Sequence, residues 1–320
     1  TLSANNTYRA YAGNRGEVIV GTYTSGVNMT NVYNKPAGYG RVFQDQQGNL
    51  FDNYLNQMVE AGDDVFWLGS YDRLIRWDKK TNRSRFFYHH DDYEGGMRRF
   101  EIKAVELDRS KRVWVSAWGD GLFIVNPSTG QFQRVKRSGS TNSATTPKYI
   151  FDLLEDGDRM WVGSTTGLYI IDTRTFAIKK LDDDSLLKDL RDKRIYTIYR
   201  DAQQRTWIGT GNWGVYCYDQ KAGAIKQYSV KNGLLSNTVY SVAVDGNGDA
   251  YIATSAGFNV LTAEGKLKAF TQQHGLRYDR CESILTDEKG YVWITNTKTL
   301  VRFNPADSSM HYFEENAGIS

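Results

Sequence analysis

The fold is decided by the stretch Val239-Tyr-Ser-Val-Ala-Val-Asp-Gly-Asn-Gly-Asp-Ala-Tyr-Ile-Ala-Thr254. Apolar residues alternate with others at its start, which predicts a β-strand, and Asp245-Gly-Asn-Gly-Asp249 predicts a tight hairpin turn. The residues from Ala250 to Thr254 then predict the returning strand. Two further turn and strand patterns follow as far as Phe270. The stretch and its continuation therefore predict a meander of four antiparallel strands.

The same pattern recurs along the whole chain. An aromatic residue, an apolar residue and a small residue mark the second strand, and successive copies are 42 to 48 residues apart. The copies begin at Trp67, Trp114, Trp161, Trp207, Tyr251 and Trp293, with a weaker one at Ile19. Four strands in a repeat of this length are typical of a propeller blade. We therefore predict an all-β fold, a seven-bladed β-propeller with four antiparallel strands per blade.

The repeat also predicts how the chain is organised. A single propeller is expected over residues 1–320, with blades at roughly 4–45, 46–95, 96–140, 141–185, 186–232, 233–274 and 275–320. The aromatic residue of each second strand is expected to pack between neighbouring sheets. The small residue two positions later is expected to let those sheets approach each other. Gly167, Gly214 and Gly257 are expected to relieve the turn into the third strand.

The composition excludes several classes of protein. The 320 residues are 40% hydrophobic and 13% aromatic, which excludes a disordered chain. A net charge of +3 gives no sign of a surface that binds nucleic acid. No apolar run is long enough to cross a membrane, and no signal-peptide pattern is expected in this sequence. Cys217 and Cys281 lie in apolar strand patterns and are expected to be buried thiols.

The repeat resembles that of the two-component regulator propeller family, whose pattern is Asp-x-x-Gly-x-x-Trp-Ile-Gly-Thr-x-x-Gly-Leu. It stands here as Asp287-Glu-Lys-Gly290-Tyr-Val-Trp293-Ile, as Asp201 through Trp207-Ile-Gly-Thr210, and as Trp161-Val-Gly-Ser-Thr-Thr-Gly-Leu168. The segment Asn232-Gly-Leu-Leu-Ser-Asn-Thr-Val-Tyr240 is similar to the family's connection between blades. The chain departs from the pattern at three positions, where Ile19 replaces Trp and Lys111 and Gln204 replace the turn glycine.

The resemblance implies a periplasmic sensor domain of a hybrid two-component system of the kind found in gut Bacteroidetes. Such domains detect breakdown products of complex glycans, so the implied partner is an oligosaccharide. The resemblance also implies a longer parent chain with a second propeller, an immunoglobulin-like domain, a membrane helix and a histidine kinase, acting as a homodimer. Both ends of this sequence look cut between blades, so an excised fragment is expected. The fragment itself is expected to be neither an enzyme nor dependent on a cofactor.

The predicted ligand site lies on the loops that join second to third strands and fourth strands to the next blade. In a propeller these two sets of loops emerge on one face, and here they are long and rich in aromatic residues and arginine. Aromatic faces stack on sugar rings, and Arg, Asp and Asn side chains hydrogen-bond to hydroxyl or acidic groups. The candidate ligand-binding residues are Tyr71, Arg98, Arg99, Trp118, Asp120, Arg194, Trp213, Arg277, Tyr278 and Arg280.

The ligand's charge stays open, because Asp91, Asp92 and Glu94 share these loops with the arginines that would suit an acidic sugar. The Asp245-x-Asn247-x-Asp249 pattern resembles the start of a calcium loop but lacks its closing glutamate, which favours an ordinary hairpin. The histidines, His89, His90, His274 and His311, have no carboxylate at a catalytic spacing.

Three classes of function remain open at this point. The first is a ligand-binding sensor without catalysis. The second is a propeller enzyme, such as a lyase or a glycoside-cleaving enzyme, which should show clustered carboxylates or histidines with shifted pKa values. The third is a platform for protein interaction or dimerisation, which should expose an apolar patch on one face. The propeller fold by itself does not distinguish among them.

Overall fold

The computed structural model describes residues 7–12, 17–22, 27–31, 35–39, 55–62, 64–88, 101–135, 147–179, 181, 184–296 and 299–313. Within these residues the chain forms 28 β-strands and three single-turn 3₁₀ helices, at Lys188–Leu190, Val230–Asn232 and Gln272–His274. The predicted all-β class is therefore confirmed. No helix in the described ranges is both long and apolar enough to cross a membrane.

The described strands form seven sheets of four strands, numbered here I to VII along the chain, and they fall into two compact units. Unit 1 holds sheets I, V, VI and VII, although Ile195 at the start of sheet V belongs to unit 2. Sheet I consists of β1 (Thr7–Ala12), β2 (Glu17–Thr22), β3 (Val27–Asn31) and β4 (Lys35–Tyr39). Sheet V consists of β17 (Ile195–Arg200), β18 (Thr206–Thr210), β19 (Val215–Asp219) and β20 (Ala224–Tyr228). Sheet VI consists of β21 (Val239–Val244), β22 (Ala250–Thr254), β23 (Gly257–Leu261) and β24 (Leu267–Phe270). Sheet VII consists of β25 (Cys281–Thr286), β26 (Val292–Asn296), β27 (Leu300–Phe303) and β28 (Met310–Phe313).

Unit 2 holds sheets II, III and IV. Sheet II consists of β5 (Leu55–Gly62), β6 (Val65–Ser70), β7 (Leu74–Asp78) and β8 (Arg83–Phe87). Sheet III consists of β9 (Ile102–Leu107), β10 (Val113–Ala117), β11 (Gly121–Val125) and β12 (Phe132–Arg134). Sheet IV consists of β13 (Ile150–Asp156), β14 (Arg159–Ser164), β15 (Gly167–Asp172) and β16 (Ile178–Lys179).

Each sheet is an antiparallel meander in which strands that follow each other in the chain lie side by side. In sheet VI, Val239 pairs with Thr254 and Val244 pairs with Ala250, as the opening stretch of sequence predicts. Because such hairpins need only short turns, consecutive strands find their partners locally. The predicted four-stranded meander is confirmed.

The predicted count of seven blades is wrong. Sheets II to VII are six blades of the predicted repeat, because each buries an aromatic residue at the motif position of its second strand. Sheet I has four strands, but Ile19 stands at that position. An isoleucine is smaller than tryptophan or tyrosine and has no hydrogen-bond donor, so sheet I lacks the aromatic anchor that the other six sheets share. The structure therefore contains six blades of the repeat and one N-terminal sheet of a different kind, which packs with Val18 and Val20 against Trp293 of sheet VII.

The motif aromatics pack between neighbouring sheets, as expected. In unit 2, Trp114 of sheet III lies in one apolar cluster with Leu153 and Val162 of sheet IV. In unit 1, Trp207 of sheet V lies in one cluster with Val242 and Ile252 of sheet VI. Burying an indole contributes a few kcal/mol, so each such contact is a major part of the adhesion between two blades (roughly 2–3 kcal/mol on transfer scales).

The small residue of the motif permits close approach, also as expected. A Cβ atom added to Gly69 would lie 2.7 Å from Cγ2 of Ile102, on the first strand of the next sheet. One added to Gly163 would lie 2.8 Å from Cγ2 of Ile195. In sheet III the position is Ser116, whose hydroxyl donates a hydrogen bond at 3.4 Å to the carbonyl of Ile150, on the first strand of sheet IV. The motif position therefore lies directly against the neighbouring first strand.

The glycine before the third strand is required by the lack of space around it as well as by the conformation of the turn. Gly167 has φ of +138°, and a Cβ atom there would lie 1.8 Å from the carbonyl oxygen of Arg191. Gly214 and Gly257 repeat this arrangement against the chain that leaves the fourth strand of their own sheets. The predicted role of these glycines is confirmed, and it combines a left-handed backbone with an absence of space.

An aspartate holds the second strand of each of the last five blades. In sheet V, Asp201 accepts hydrogen bonds from the amide of Arg205 at 2.8 Å and from the indole nitrogen of Trp207 at 2.9 Å. The corresponding bonds from the motif aromatic measure 2.7 to 3.1 Å in sheets III, IV, VI and VII, at Asp108, Asp156, Asp245 and Asp287. In sheet V one buried carboxylate thus closes the hairpin turn and satisfies the aromatic side chain together.

Candidate ligand-binding rim

Bulges at the start of the first strands place one side chain of each at the same end of its sheet. In each of these first strands, one residue has no partner in the pairing with the second strand. The paired residues run directly from Leu55 to Gln57, from Ile150 to Asp152, from Val239 to Ser241 and from Cys281 to Ser283. In sheet III the residue without a partner in this pairing is Lys103. A bulge leaves its extra residue out of the ladder and turns its side chain aside. The extra residues, called here the bulge residues, are Asn56, Lys103, Phe151, Tyr240 and Glu282.

The bulge residues lie at the sheet ends that carry the connections from second to third strands. In sheet IV, for example, Ile150 pairs with Ser164, the last residue of the second strand. Tyr196 holds the same place in β17. First strands of neighbouring sheets contact one another, as β5 does β9, β9 does β13 and β21 does β25, which brings successive bulge residues close together. This edge is the end of the sheets that the sequence assigns to ligand binding.

In unit 2 the bulge residues surround Trp118. The indole lies 5.0 Å from the ring of Tyr149, in an edge-to-face arrangement, and 5.0 Å from the ring of Phe151. Tyr149 is 43% exposed, so part of this aromatic surface faces solvent. Backbone bonds fix the loop, because the amide of Trp118 donates to the carbonyl of Glu101 at 2.8 Å. Aromatic rings held in this way form a preorganised stacking surface.

A cation and a carboxylate adjoin these rings. The Lys103 ammonium lies 5.8 Å from the centre of the Trp118 ring and 2.6 Å from the Glu101 carboxylate. It also donates a hydrogen bond to the side-chain oxygen of Asn56 at 3.2 Å. The side chains of Lys103 and Glu101 are 19% and 21% exposed, so the pair is shielded from bulk water on most sides. We call Glu101, Lys103, Trp118, Tyr149 and Phe151 the Trp118 platform.

Unit 1 contains a second cluster built from the same positions. The rings of Tyr196 and Tyr240 are 5.4 Å apart, and the Arg280 guanidinium lies 4.9 Å from the centre of the Tyr240 ring. Arg280 also pairs with the carboxylate of Glu282 at 2.6 Å. Burial raises the pKa of the Tyr240 hydroxyl above its ordinary value, and the Arg280 charge acts in the opposite direction. We call Tyr196, Tyr240, Arg280 and Glu282 the Tyr240 cluster.

Two of the candidate residues join these clusters. They are Trp118, in the platform, and Arg280, in the Tyr240 cluster. Arg277 instead stacks 4.4 Å from the ring centre of Tyr312. Trp213 is 52% exposed, and its carbonyl accepts a bond from Gln227.

The backbone carbonyl of Asp120 accepts a hydrogen bond from Arg134, so this residue supports its own turn. Tyr71 is half-buried in the turn after β6, Tyr278 is half-buried and Arg194 is exposed. Arg98 and Arg99 lie outside the described residues.

Sequence reasoning missed all of the bulge residues. It followed the loops, whereas Lys103, Phe151, Tyr196 and Tyr240 lie one residue inside the first strand. The sequence does contain a signal for these residues. Each of them follows a buried aliphatic residue and comes immediately before the alternating pattern of the strand. The extra residue in that alternation is the mark of a bulge.

A group of carboxylates also lies among the first strands of unit 2. Glu106 on β9 accepts a hydrogen bond from the amide of Leu107, and the carboxylates of Asp152 and Glu155 act on it from β13. Burial and, more weakly, these two negative charges raise the pKa of Glu106 to about 8. Asp152 accepts a bond from the amide group of Gln57 at 3.0 Å. A carboxyl that stays protonated at neutral pH is able to donate a proton.

The calcium and histidine candidates have structural roles where they are described. Asp245 accepts bonds from the amides of Asn247 and Asp249, which confirms the hairpin interpretation. The ring of His274 accepts a bond from the Thr271 amide and caps a 3₁₀ turn. Within the described ranges, no group of three or more His, Cys, Asp or Glu side chains is arranged to hold a metal ion. His89 and His90 lie outside the described residues.

The thiols are unreactive in their surroundings. Cys281 is fully buried, as predicted, and burial raises its pKa. Cys217 is only half-buried, because it lies on the third strand of sheet V, and burial raises its pKa to about 11. A thiol with a raised pKa carries little thiolate at neutral pH and is a poor nucleophile.

Comparison with known proteins agrees with the repeat found in the sequence. Residues 189–212 match the family model described as Two component regulator propeller. Over 309 residues the chain is 23% identical to histidine kinase P4 of Formosa agariphila, and the match covers 94% of this chain and 19% of that protein. The chain thus spans about a fifth of the length of this curated relative.

Two solved structures have a similar fold. PorZ, a surface component of the type-IX secretion system of Porphyromonas gingivalis, matches with a TM-score of 0.70 and 17% identity, over 94% of this chain and 47% of that one. Virginiamycin B lyase from Staphylococcus aureus matches with a TM-score of 0.66 and 10% identity, over 93% and 94%. At these identities the likeness shows a shared fold alone. The chain therefore carries the two-component regulator propeller repeat on an all-β propeller fold, and it is similar to part of a histidine kinase.

Proposed function

We propose that this chain is an extracytoplasmic, ligand-sensing part of a hybrid two-component system. It binds an oligosaccharide derived from a glycan and passes the signal to a histidine kinase in a longer parent protein. The matched repeat and the similarity to a histidine kinase support the signalling role. A periplasmic location of the sensor is part of the proposal.

The observation that carries the proposal is the Trp118 platform. Trp118 and Phe151 offer ring surface to the apolar face of a sugar, and the exposed part of Tyr149 extends it. Lys103 and Glu101 supply hydrogen-bond donors and acceptors next to the rings. Sugar sites need this combination of aromatic surface and fixed polar groups. The Tyr240 cluster of unit 1 offers the same combination a second time.

Signalling needs more than binding. A ligand shifts a receptor only as far as it prefers one arrangement of the receptor over another. In the proposed parent protein those arrangements involve the second propeller, the immunoglobulin-like domain and a homodimer. The ligand would then act by stabilising one arrangement of these parts.

Calorimetric titration with a panel of plant, algal and host-glycan oligosaccharides tests the proposal. We expect at least one to bind, and we expect Trp118→Ala to weaken that binding about 10- to 100-fold, since a stacking contact is worth about 1–3 kcal/mol. Tyr291→Ala is the matched control, because Tyr291 is a half-buried aromatic that stacks on Arg302 at the opposite end of its sheet. Unchanged affinity in Trp118→Ala would refute the proposed site. Failure of every oligosaccharide to bind would favour an interaction platform.

One observation favours an enzyme as the second candidate function. Glu106 has a raised pKa and lies near Asp152 and Glu155, which is the kind of carboxylate cluster that acid–base catalysis uses. Product analysis of the same oligosaccharides after long incubation separates the two functions. A sensor leaves them intact, whereas an enzyme converts at least one, and Glu106→Gln then abolishes the conversion.

A further inference from the structure

We infer that the Trp118 platform takes an uncharged, hydroxyl-rich sugar residue and that Glu101 makes it discriminate against uronates and sulfated sugars. The inference rests on the proposed function, because it names the class of oligosaccharide bound at the same rim. It decides a question that the sequence leaves open, namely whether the ligand is acidic.

The cation at the platform is already neutralised. The Lys103 ammonium lies 2.6 Å from the Glu101 carboxylate, and each side chain has only about a fifth of its surface exposed. The carbonyl of Glu101 also holds the amide of Trp118 at 2.8 Å, so the carboxylate belongs to the residue that positions the stacking ring. A ligand on the rings therefore meets a charge pair whose sum is zero.

The Tyr240 cluster repeats the arrangement in other blades. Arg280 lies 4.9 Å from the centre of the Tyr240 ring and 2.6 Å from the carboxylate of Glu282. The carboxylate comes from a bulge residue in this cluster, whereas the cation does so in the platform. Both clusters thus combine an aromatic ring, a cation and a carboxylate, but these groups come from different positions of the strands. Of the predicted cationic candidates, Arg277 stacks on the ring of Tyr312.

The charge pair suits a sugar hydroxyl better than an acidic group. A hydroxyl donates one hydrogen bond and accepts others, so it can donate to Glu101 and accept from Lys103. A carboxylate or sulfate only accepts, and it would face the Glu101 charge in a site shielded from water. The charge of Lys103 is already paired with Glu101, so it does not offset the loss of water from an acidic group, and we expect affinity to be lower by about tenfold or more.

The test uses oligosaccharide pairs that differ only in charge. Oligogalacturonates and alginate oligosaccharides of four residues are compared by calorimetry with the same chains after reduction of every carboxyl to an alcohol. We expect the wild-type chain to bind at least one reduced form about tenfold more tightly than its acidic counterpart. Glu101→Gln should bring the two affinities to within about threefold of each other, since it keeps the hydrogen-bond acceptor and removes the charge.

Two further variants keep the test decisive. Lys103→Met leaves the Glu101 charge alone at the rings and should widen the preference for the reduced form. Glu264→Gln, in an exposed turn of sheet VI, is the matched control and should change nothing. Acidic forms that bind the wild type as tightly as reduced ones, or a preference that Glu101→Gln leaves unchanged, would overturn the inference alone. If neither the acidic nor the reduced oligosaccharides bind, and no oligosaccharide of the wider neutral panel binds, the proposed function is overturned as well.

Discussion

At the scale of single residues, one aspartate in each of sheets III to VII accepts a hydrogen bond from the motif aromatic, and in sheet V this aspartate is buried. Asp201 accepts bonds from the amide of Arg205, from its guanidinium at 2.7 Å and from the indole of Trp207. All three donors lose their partner if the carboxylate is removed, and the indole is almost fully buried. Leaving buried donors unsatisfied costs more than the bonds themselves contribute.

We expect Asp201→Ala to lower the free energy of unfolding by about 3–5 kcal/mol, because a buried ion pair and a buried indole bond are broken together. Asp219→Ala is the control, since Asp219 accepts a single bond from the amide of Ala222 in an exposed turn. The control should cost about 1 kcal/mol or less. Urea unfolding followed by tryptophan fluorescence measures both values, and equal losses would contradict the anchoring role.

Glu106 predicts a dependence of stability on pH. Its pKa is about 8 in the folded chain and near the ordinary 4.5 in the unfolded chain, so the folded state binds more protons between these values. The free energy of unfolding should therefore fall as pH rises from 4.5 towards 8, by at most about 1.4 kcal/mol per pH unit from this group.

Glu106→Gln should flatten that part of the pH profile, because glutamine remains neutral and still accepts the bond from Leu107. Glu264→Gln serves as the control, since the pKa of Glu264 is lowered rather than raised. Urea titrations at pH 5, 6, 7 and 8 provide the measurement. A Glu106→Gln profile that falls as steeply as that of the wild type would contradict the assignment.

At the scale of strands and sheets, the small residue of the motif determines how closely two blades pack. Strand β6 lies against β9, and Gly69 leaves no room for a side chain next to Ile102. Gly246, in a hairpin, has no atom within 4 Å of an added Cβ and no left-handed backbone angle. Packing therefore requires glycine at position 69, whereas neither packing nor backbone conformation requires it at position 246.

Gly69→Val should cost about 3 kcal/mol of stability, because overpacking at a close contact between backbone and side chain forces the two sheets apart. Gly246→Ala should change stability by no more than about 0.5 kcal/mol. Thermal unfolding monitored by circular dichroism compares the two variants. A Gly69→Val protein as stable as the wild type would mean that the sheets separate more easily than their contact distance indicates.

The sequence predicts strand order well and side-chain position less well. Alternation and hairpin turns determine each four-stranded meander locally, so the strands of sheet VI follow directly from its residues. The bulges were missed because a single extra residue disturbs a period of two without breaking it. Trp118 was found because it interrupts a turn made of small residues, whereas its partner Phe151 looks like an ordinary strand residue.

At the scale of the whole molecule, counting repeats overestimated the number of equivalent blades. The weak copy at Ile19 gives a four-stranded sheet, but it has neither the buried aromatic residue of the six blades nor the aspartate of the last five. The spacing of the repeats cannot distinguish a sheet that has the aromatic anchor from one that lacks it, because strand pairing requires only alternation and turns. The anchor between sheets depends on the chemistry of one position, and that chemistry distinguishes sheet I from the six blades.

We propose that the bulged ends of the first strands bind the ligand. Hydrogen exchange followed by mass spectrometry, with and without an oligosaccharide found by titration, tests this most directly. We expect ligand-induced protection in peptides that cover residues 101–104, 116–120 and 147–151, and in 194–197 or 238–241 if the Tyr240 cluster also binds. Protection confined to the opposite hairpins, such as 245–249 or 287–291, would contradict the claim.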